Sequence, residues 1–176
     1  MSFLELAKKR RSHRLFTEEK ITEEEYKSII KAALMSPSSK TSRPWSFVVV
    51  DDKDKLQKIS ESRTMGSQFV KGAAMAIVVL IDRELTEPWI EDGAIASTMM
   101  LLQAEDLGLG GCWMQVRGRE NSEGISTEKI LKDLFDIPEK YSILNVIALG
   151  HKVKELKPQN EEKLLWERLS INKYGL

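Results

Sequence analysis

The stretch that decides the fold runs Gly93-Ala94-Ile95-Ala96-Ser97-Thr98-Met99-Met100-Leu101-Leu102-Gln103-Ala104, then Leu107-Gly108-Leu109-Gly110-Gly111-Cys112-Trp113-Met114-Gln115-Val116. The first half carries no charge. A helix that is apolar all round is a buried helix, so this one should run through a domain or across a subunit interface. Glycine is the usual residue just past a helix end, so Leu107–Gly111 should close it. Cys112–Val116 then reads as a short buried strand. A long buried helix turning at glycines into an apolar strand calls for a sheet beside it.

The flanking sequence supplies that sheet. Trp45–Val50 is β-branched and aromatic, as strands are. Ala73–Ile81 is continuously apolar, as expected of a central strand covered on both faces. Ser142–Leu149 is another apolar strand, ending in Gly150-His151-Lys152. Between these lie helices. Ser2 and Glu5 form one capping box, Thr22 and Glu25 a second. Pro37 stops the second helix. Lys53–Arg63 should be a surface helix with Leu56 and Ile59 turned inward, and Ser126 should cap a helix bearing Ile130, Leu131, Leu134 and Phe135. Residues 66–70 are ambiguous. The tail, 153–176, is charged, with Leu164, Leu165, Trp166 and Leu169 at helical spacing. It has to bury Trp166 and Tyr174 somewhere, and a partner subunit offers a place. The class is therefore mixed α/β, with few strands for the length and helix dominant.

Whole-chain numbers narrow the function. At 176 residues one domain is expected, and nothing suggests a linker or repeat. Lys+Arg and Asp+Glu are both 27. That balance argues against binding nucleic acid through bulk charge. One cysteine and two histidines leave no disulfide and no conventional multi-ligand metal site. The N-terminus turns charged too early for a signal peptide, and no apolar run reaches membrane-spanning length, so a cytoplasmic location is expected.

Four polar clusters remain: Arg10–Arg14, Pro37–Arg43, Gly110–Gln115 and Gly150–Lys152. Arg10-Arg11-Ser12-His13-Arg14 offers planar guanidinium forks and a hydroxyl, which suit a phosphate. On residues alone it reads more readily as a basic patch closing a helix against its negative dipole end. The glycines at 110, 111 and 150 let backbone approach a flat ligand. Gly108–Gly111 follow a helix rather than a strand, which fails the dinucleotide fingerprint. Cys112 has no basic partner near it in sequence and reads as a structural cysteine. His13 and His151 lie beside basic residues and read as structural or surface groups. Asp92 reads as a cap or ion-pair partner. No residue set builds a hydrolase or transferase site. That suits an enzyme whose cofactor performs the chemistry.

These clusters, taken together, resemble the FMN-dependent nitroreductase family. The resemblance rests on Arg10-Arg11-Ser12-x-Arg14, on Pro37-Ser38-Ser39-x-x-x-Arg43-Pro44-Trp45, and on the acidic start of the long apolar helix. Leu107-Gly-Leu-Gly-Gly-Cys-Trp113 and Ala148-Leu-Gly-His151 complete it, and the pieces cover nearly the whole chain in order. It implies an α+β fold with a small central antiparallel sheet flanked by helices, and an intertwined homodimer with FMN at the interface. Arg10, Arg11 and Ser12 would then hold the FMN phosphate, and Arg14 the ribityl and pyrimidine edge. Pro37, Ser38 and Ser39 would arrive from the other subunit, with Arg43 close by. Trp113, Met114 and Gln115 would lay their backbone against the ring near N5, with Gln68 at the ring edge. Gly150, His151 and Lys152 would close the phosphate end.

Two departures stand out. Thr41 replaces a common Asn, and Lys152 follows Gly-His where relatives usually have proline. Lys152 is either an added phosphate ligand or solvent-exposed, with Lys154 or Lys157 in that role. The activity implied is ping-pong hydride transfer from NAD(P)H through flavin N5 to nitroaromatics, quinones or similar acceptors. A relative specialised for dehalogenation, enone reduction or flavin breakdown fits the same motifs, as does a protein that stores or senses FMN.

Overall fold

In the computed structural model, which describes residues 1–175, four strands form one antiparallel sheet in the order β1-β2-β4-β3. They are β1 (Trp45–Val50), β2 (Met75–Asp82), β3 (Leu109–Gln115) and β4 (Tyr141–His151). Five helices surround it: α1 (Phe3–Lys9), α2 (Glu23–Leu34), α3 (Lys53–Glu61), α4 (Trp89–Asp106) and α5 (Thr127–Phe135). Every pairing is antiparallel. The α+β class and the small central sheet are as expected.

The period-two alternation of β2 splits the core into two halves. Ala76, Val78 and Leu80 face one way, onto Leu56 and Ile59 of α3 and Leu131 of α5. Met75, Ile77, Val79 and Ile81 face the other way, onto Ile29 and Ala33 of α2 and Ala96 and Met100 of α4. All eight residues of β2 are buried, because β2 is central and covered on both faces. Gly93 lets α4 approach closely. A Cβ there would lie 2.7 Å from Leu144 Cδ2 and 3.1 Å from Ile81. One turn on, Ser97 and Asn145 hydrogen-bond each other inside this contact (Asn145 Nδ2 donating, 3.0 Å).

Four expectations need correction. α4 is not buried all round. Asp92, Gly93, Ala96, Ser97, Met100, Ala104 and Glu105 face the core, while Ile95 and Thr98 are exposed. β3 starts at Leu109, three residues earlier than expected. Gly108, at φ +80, ends the helix alone, which frees Gly110 and Gly111 for the strand. β4 likewise runs on through Gly150 to His151. The tail forms no amphipathic α-helix. It makes two short 3-10 turns, Glu161–Lys163 and Trp166–Arg168, and Trp166 and Tyr174 are 69% and 95% exposed. Helical spacing alone did not decide this, since a lone helix at the chain end has nothing to bury its face against. No described helix is long and apolar enough to cross a membrane.

Candidate functional site

The capping box at Ser2 and Glu5 starts α1, and Arg10 caps its C-terminal end. The chain then leaves the helix extended and lies across the ends of two strands. His13 N donates to Gly111 O (3.1 Å), and Thr17 N to His151 O (3.0 Å). Ser12 bridges Gly111 in parallel, and Phe16 bridges Lys152 in antiparallel. The arginine stretch is thus held as an extra ribbon against the sheet.

The glycines beneath it follow from this placement. A Cβ on Gly110 would lie 2.8 Å from His13 Cβ, and one on Gly150 would lie 2.8 Å from Phe16 Cβ, Cγ and Cδ1. The close approach expected to admit a flat ligand at these two glycines is instead used by the protein's own side chains. Gly150→Ala should therefore push Phe16 off the sheet. The expected cost is about 1–3 kcal/mol, read as a lowered midpoint in urea denaturation with an unchanged slope.

β3 is an edge strand, and its outer side is the open part of the site. The carbonyl of Gly111 points outward to His13, and that of Gln115 points outward to Arg63 (Nη1 donating, 3.5 Å). Backbone polarity alternates along a strand, so Trp113 between them also presents its N–H and C=O outward. Met114 is fully buried and contributes no exposed side chain. Trp113 Nε1 donates to Gln115 Oε1 (2.9 Å), and Gln115 Nε2 donates to Arg117 O (3.0 Å), which fixes both side chains along the edge. Arg14 is exposed, with its guanidinium carbon 5.9 Å from the centroid of Phe69. Gln68, beside Phe69, accepts from Gly66 N (2.9 Å) and donates to Thr64 O (3.3 Å).

The charges at this edge are one-sided. Every ion pair among the described residues uses a lysine or histidine as the cation. Among the described residues, none of the nine arginines is paired with a carboxylate. Arg11 is partly committed, donating to Lys157 O (2.8 Å). Cys112 lies beneath the segment. Burial pushes its thiol up, and the charge of Arg14, the Ser12 hydroxyl and the charge of Arg10 only partly oppose this. It is a buried neutral thiol, as its neighbours suggested.

Within the chain, Gly150–Lys152 are already engaged. Lys152 is neither solvent-exposed nor free. Its ammonium is 2.7 Å from Glu105 Oε1 and 3.3 Å from Glu155, and the side chains of Lys152 and Glu105 are 6% and 5% exposed. His151 turns away, its Nε2 lying 3.3 Å from Lys20 O. Gly150 lies under Phe16. These residues hold the arginine segment in place, and sequence reading missed Glu105, the partner that makes this possible. A carboxylate closing an apolar helix gives no sign of its distant lysine.

The Pro37–Arg43 loop lies elsewhere. Ser39 N donates to Asp92 Oδ1 (2.9 Å), and Thr86 Oγ1 donates to Asp92 Oδ2 (2.9 Å). Asp92 is therefore the buried anchor of this loop, at the start of α4. Ser38 Oγ accepts from Arg43 N (2.9 Å). Lys40, Thr41 and Arg43 all have positive φ (51°, 57° and 48°). Three non-glycine residues held there store strain, which is a mark of functional loops. Ser42 Oγ is the one buried side-chain polar atom without a partner among the described residues. Glu105, under the arginine segment, is near the other end of the same helix. At about 1.5 Å per residue the two clusters are separated by about 20 Å. One chain does not bring them together.

The antiparallel α+β sheet, with an arginine ribbon along one edge, is a fold with an edge that suits an anion. The chain belongs to the Nitroreductase family, whose model matches residues 7–65 and 61–151, and it is an oxidoreductase of that family. A relative from Archaeoglobus fulgidus, named as an NADH dehydrogenase/NAD(P)H nitroreductase, is 37% identical over 150 residues, covering 83% of each chain. An FMN-dependent nitroreductase from Clostridium difficile R20291 superposes with a TM-score of 0.95 at 40% identity, over 98% of this chain and 100% of that one. A structure from Desulfovibrio desulfuricans in complex with FMN superposes at 0.79 and 26% identity, over 97% and 96%.

Proposed function

We propose that two copies of this chain bind FMN between them and catalyse oxidation of NAD(P)H by nitroaromatic, quinone or related acceptors. The observation that carries this reading is the outer edge of β3. Arginines 10 and 14, without carboxylates, lie beside a backbone edge on which Trp113 turns its N–H and C=O outward. Arg10 and Ser12 suit the dianionic phosphate through charge-assisted bonds, with Arg11 adding the part of its fork not given to Lys157. The backbone of Trp113 and Gln115 offers donors to one face of a flat ring. Arg14 is placed to balance negative charge on its pyrimidine end. FMN, when bound, supplies the two-electron chemistry. The chain's own part is to orient the ring, hold cations beside it and keep the slot flat. No general acid or base is required of it.

The separation along α4 supports a homodimer. The strained Pro37–Arg43 loop serves the site only if it reaches the β3 edge of a second copy. Ser38 and Ser39 then meet the cofactor from across the interface, and Ser42 Oγ gains a partner. Other surfaces want covering as well. Phe3, Leu4, Met35 and Ile95 are exposed, and an apolar groove of about 560 Å³ opens between α2 and β1, lined by Tyr26, Ile30, Leu34, Trp45 and Phe47. The tail beyond Lys157 is strapped to α1 only at its root, through Gln159 N to Lys8 O (2.9 Å) and Lys8 to Glu161 (2.5 Å). We assign its exposed Leu164, Leu165, Trp166 and Leu169 to the partner subunit.

An absorption spectrum tests the core of this. The purified protein is expected to show an oxidised flavin spectrum that bleaches on anaerobic NADH or NADPH and returns with an acceptor. A protein that stays colourless after FMN is added would refute the reading. A stable monomer in sedimentation would refute the shared site.

A further inference from the structure

Arg63 lies just past α3 and touches the β3 edge only at the Gln115 carbonyl, with no part in holding the cofactor proposed above. Its guanidinium lies against Gly66, where a Cβ would meet Nη2 at 3.4 Å. Its hydrogen bond to the Gln115 carbonyl is long, at 3.5 Å. Three hydrogen bonds bring the loop after β3 alongside it. Thr64 N and Thr64 Oγ1 both donate to Glu120 O (3.2 and 3.3 Å), and Thr127 Oγ1 donates to Ser62 O (2.9 Å). These bonds, with Thr127 N donating to Arg119 O (2.8 Å), hold the backbone at Arg119 close to the backbone at Arg63. Burial first, and the charge of Arg119 second, hold the Arg63 guanidinium below its ordinary range. Arg63 is half-buried and Arg119 exposed; two like charges on adjoining loops, neither paired with a carboxylate among the described residues, are unfavourable until an anion joins them.

We propose that Arg63 and Arg119 form an anion subsite, separate from Arg10–Arg14, that takes the carboxylate or phosphate of a small molecule bound over the Trp113–Gln115 edge. The location of that molecule rests on the function proposed above; the anion site itself does not. Arginine forks match either oxyanion bidentately. The two sources are an acidic acceptor and the phosphates of the nicotinamide donor. Arg63 reaches the same edge residue, Gln115, that lines the slot, so a ligand anchored here by its anion would extend its uncharged end along β3.

The test compares the intact protein with Arg63→Gln/Arg119→Gln and with Arg119→Gln alone, whose exposed side chain is safe to change. Kinetics use two acceptors differing by a carboxylate, 4-nitrobenzoate and 4-nitrobenzyl alcohol. The double variant is expected to raise KM for the acid about tenfold or more, with kcat kept and the alcohol within about twofold. If instead KM rises for NADH and NADPH with both acceptors, the anion is the donor's phosphate. Unchanged KM values throughout would overturn the subsite. Calorimetric titration with inorganic pyrophosphate and with 4-nitrobenzoate reads it without turnover. Binding to the parent, weakened about tenfold in the double variant, supports it even in a protein that holds no flavin. A parent that binds neither probe overturns it.

Discussion

Arg10→Ala combined with Arg14→Ala is expected to weaken FMN binding by about 100-fold or more while leaving the melting temperature within about 4 °C of the parent. The two halves of this expectation have separate causes. Each arginine offers charge-assisted hydrogen bonds to an anionic ligand, worth about 1.5–3 kcal/mol apiece. Neither is spent on the fold. Arg14 is exposed and its one aromatic contact, to Phe69, is 5.9 Å long. Arg10 caps α1 through its backbone, its N–H donating to Leu6 O at 2.9 Å, and alanine keeps that bond. Fluorescence quenching of added FMN measures the affinity, and a thermal melt without FMN checks the fold. Affinity within about threefold of the parent would remove these two residues from the site. Arg11→Ala should behave differently, because its fork already holds Lys157 O. It is expected to cost some affinity and also to loosen the tail.

That contrast shows what the sequence made legible. The elements read well wherever one local rule governed them. Capping boxes placed α1 and α2, the apolar run placed β2, and the β-branched run placed β1. The arginine and serine cluster stood out by its close spacing, and on residues alone it also read as a basic patch closing a helix. What failed to read was any feature fixed by a distant partner. Gly110 and Gly150 looked like openings for a ligand and are openings for His13 and Phe16. Lys152 looked like a free cation and is tied to Glu105, 47 residues away. The tail had helical spacing but no surface in its own chain to bury it. Arg63 and Arg119 are separated in sequence, and their loops are joined only through Thr64 and Thr127. Spacing reports the periodicity of one element. It does not report which element lies across from it.

The Lys152–Glu105 pair carries the largest expected effect on stability. Lys152→Met leaves the Glu105 carboxylate buried beside apolar helix residues, and breaking such a pair costs about 3–5 kcal/mol. For a chain of this length that is a fall in melting temperature of roughly 10 °C. Adding Glu105→Leu should restore most of the loss, since an apolar pair of similar volume replaces both charges.

A nearby histidine makes the effect depend on pH. His13 is 3% exposed. Burial, and then the charge of Lys152, hold its imidazole below the ordinary range, against the opposing charge of Glu105. A depressed folded value means the neutral ring is favoured. In the parent that stability is present above the unfolded value, near 6.5, and is lost as pH falls below it. In Lys152→Met the repelling ammonium is gone and the unpaired Glu105 remains. Protonated His13 can then serve as its partner. The stability gap between parent and variant should therefore narrow as pH drops from about 7 to about 5, and His13→Gln should abolish the narrowing. Urea denaturation at three pH values decides it. A gap that stays constant would mean that His13 does not sense the pair.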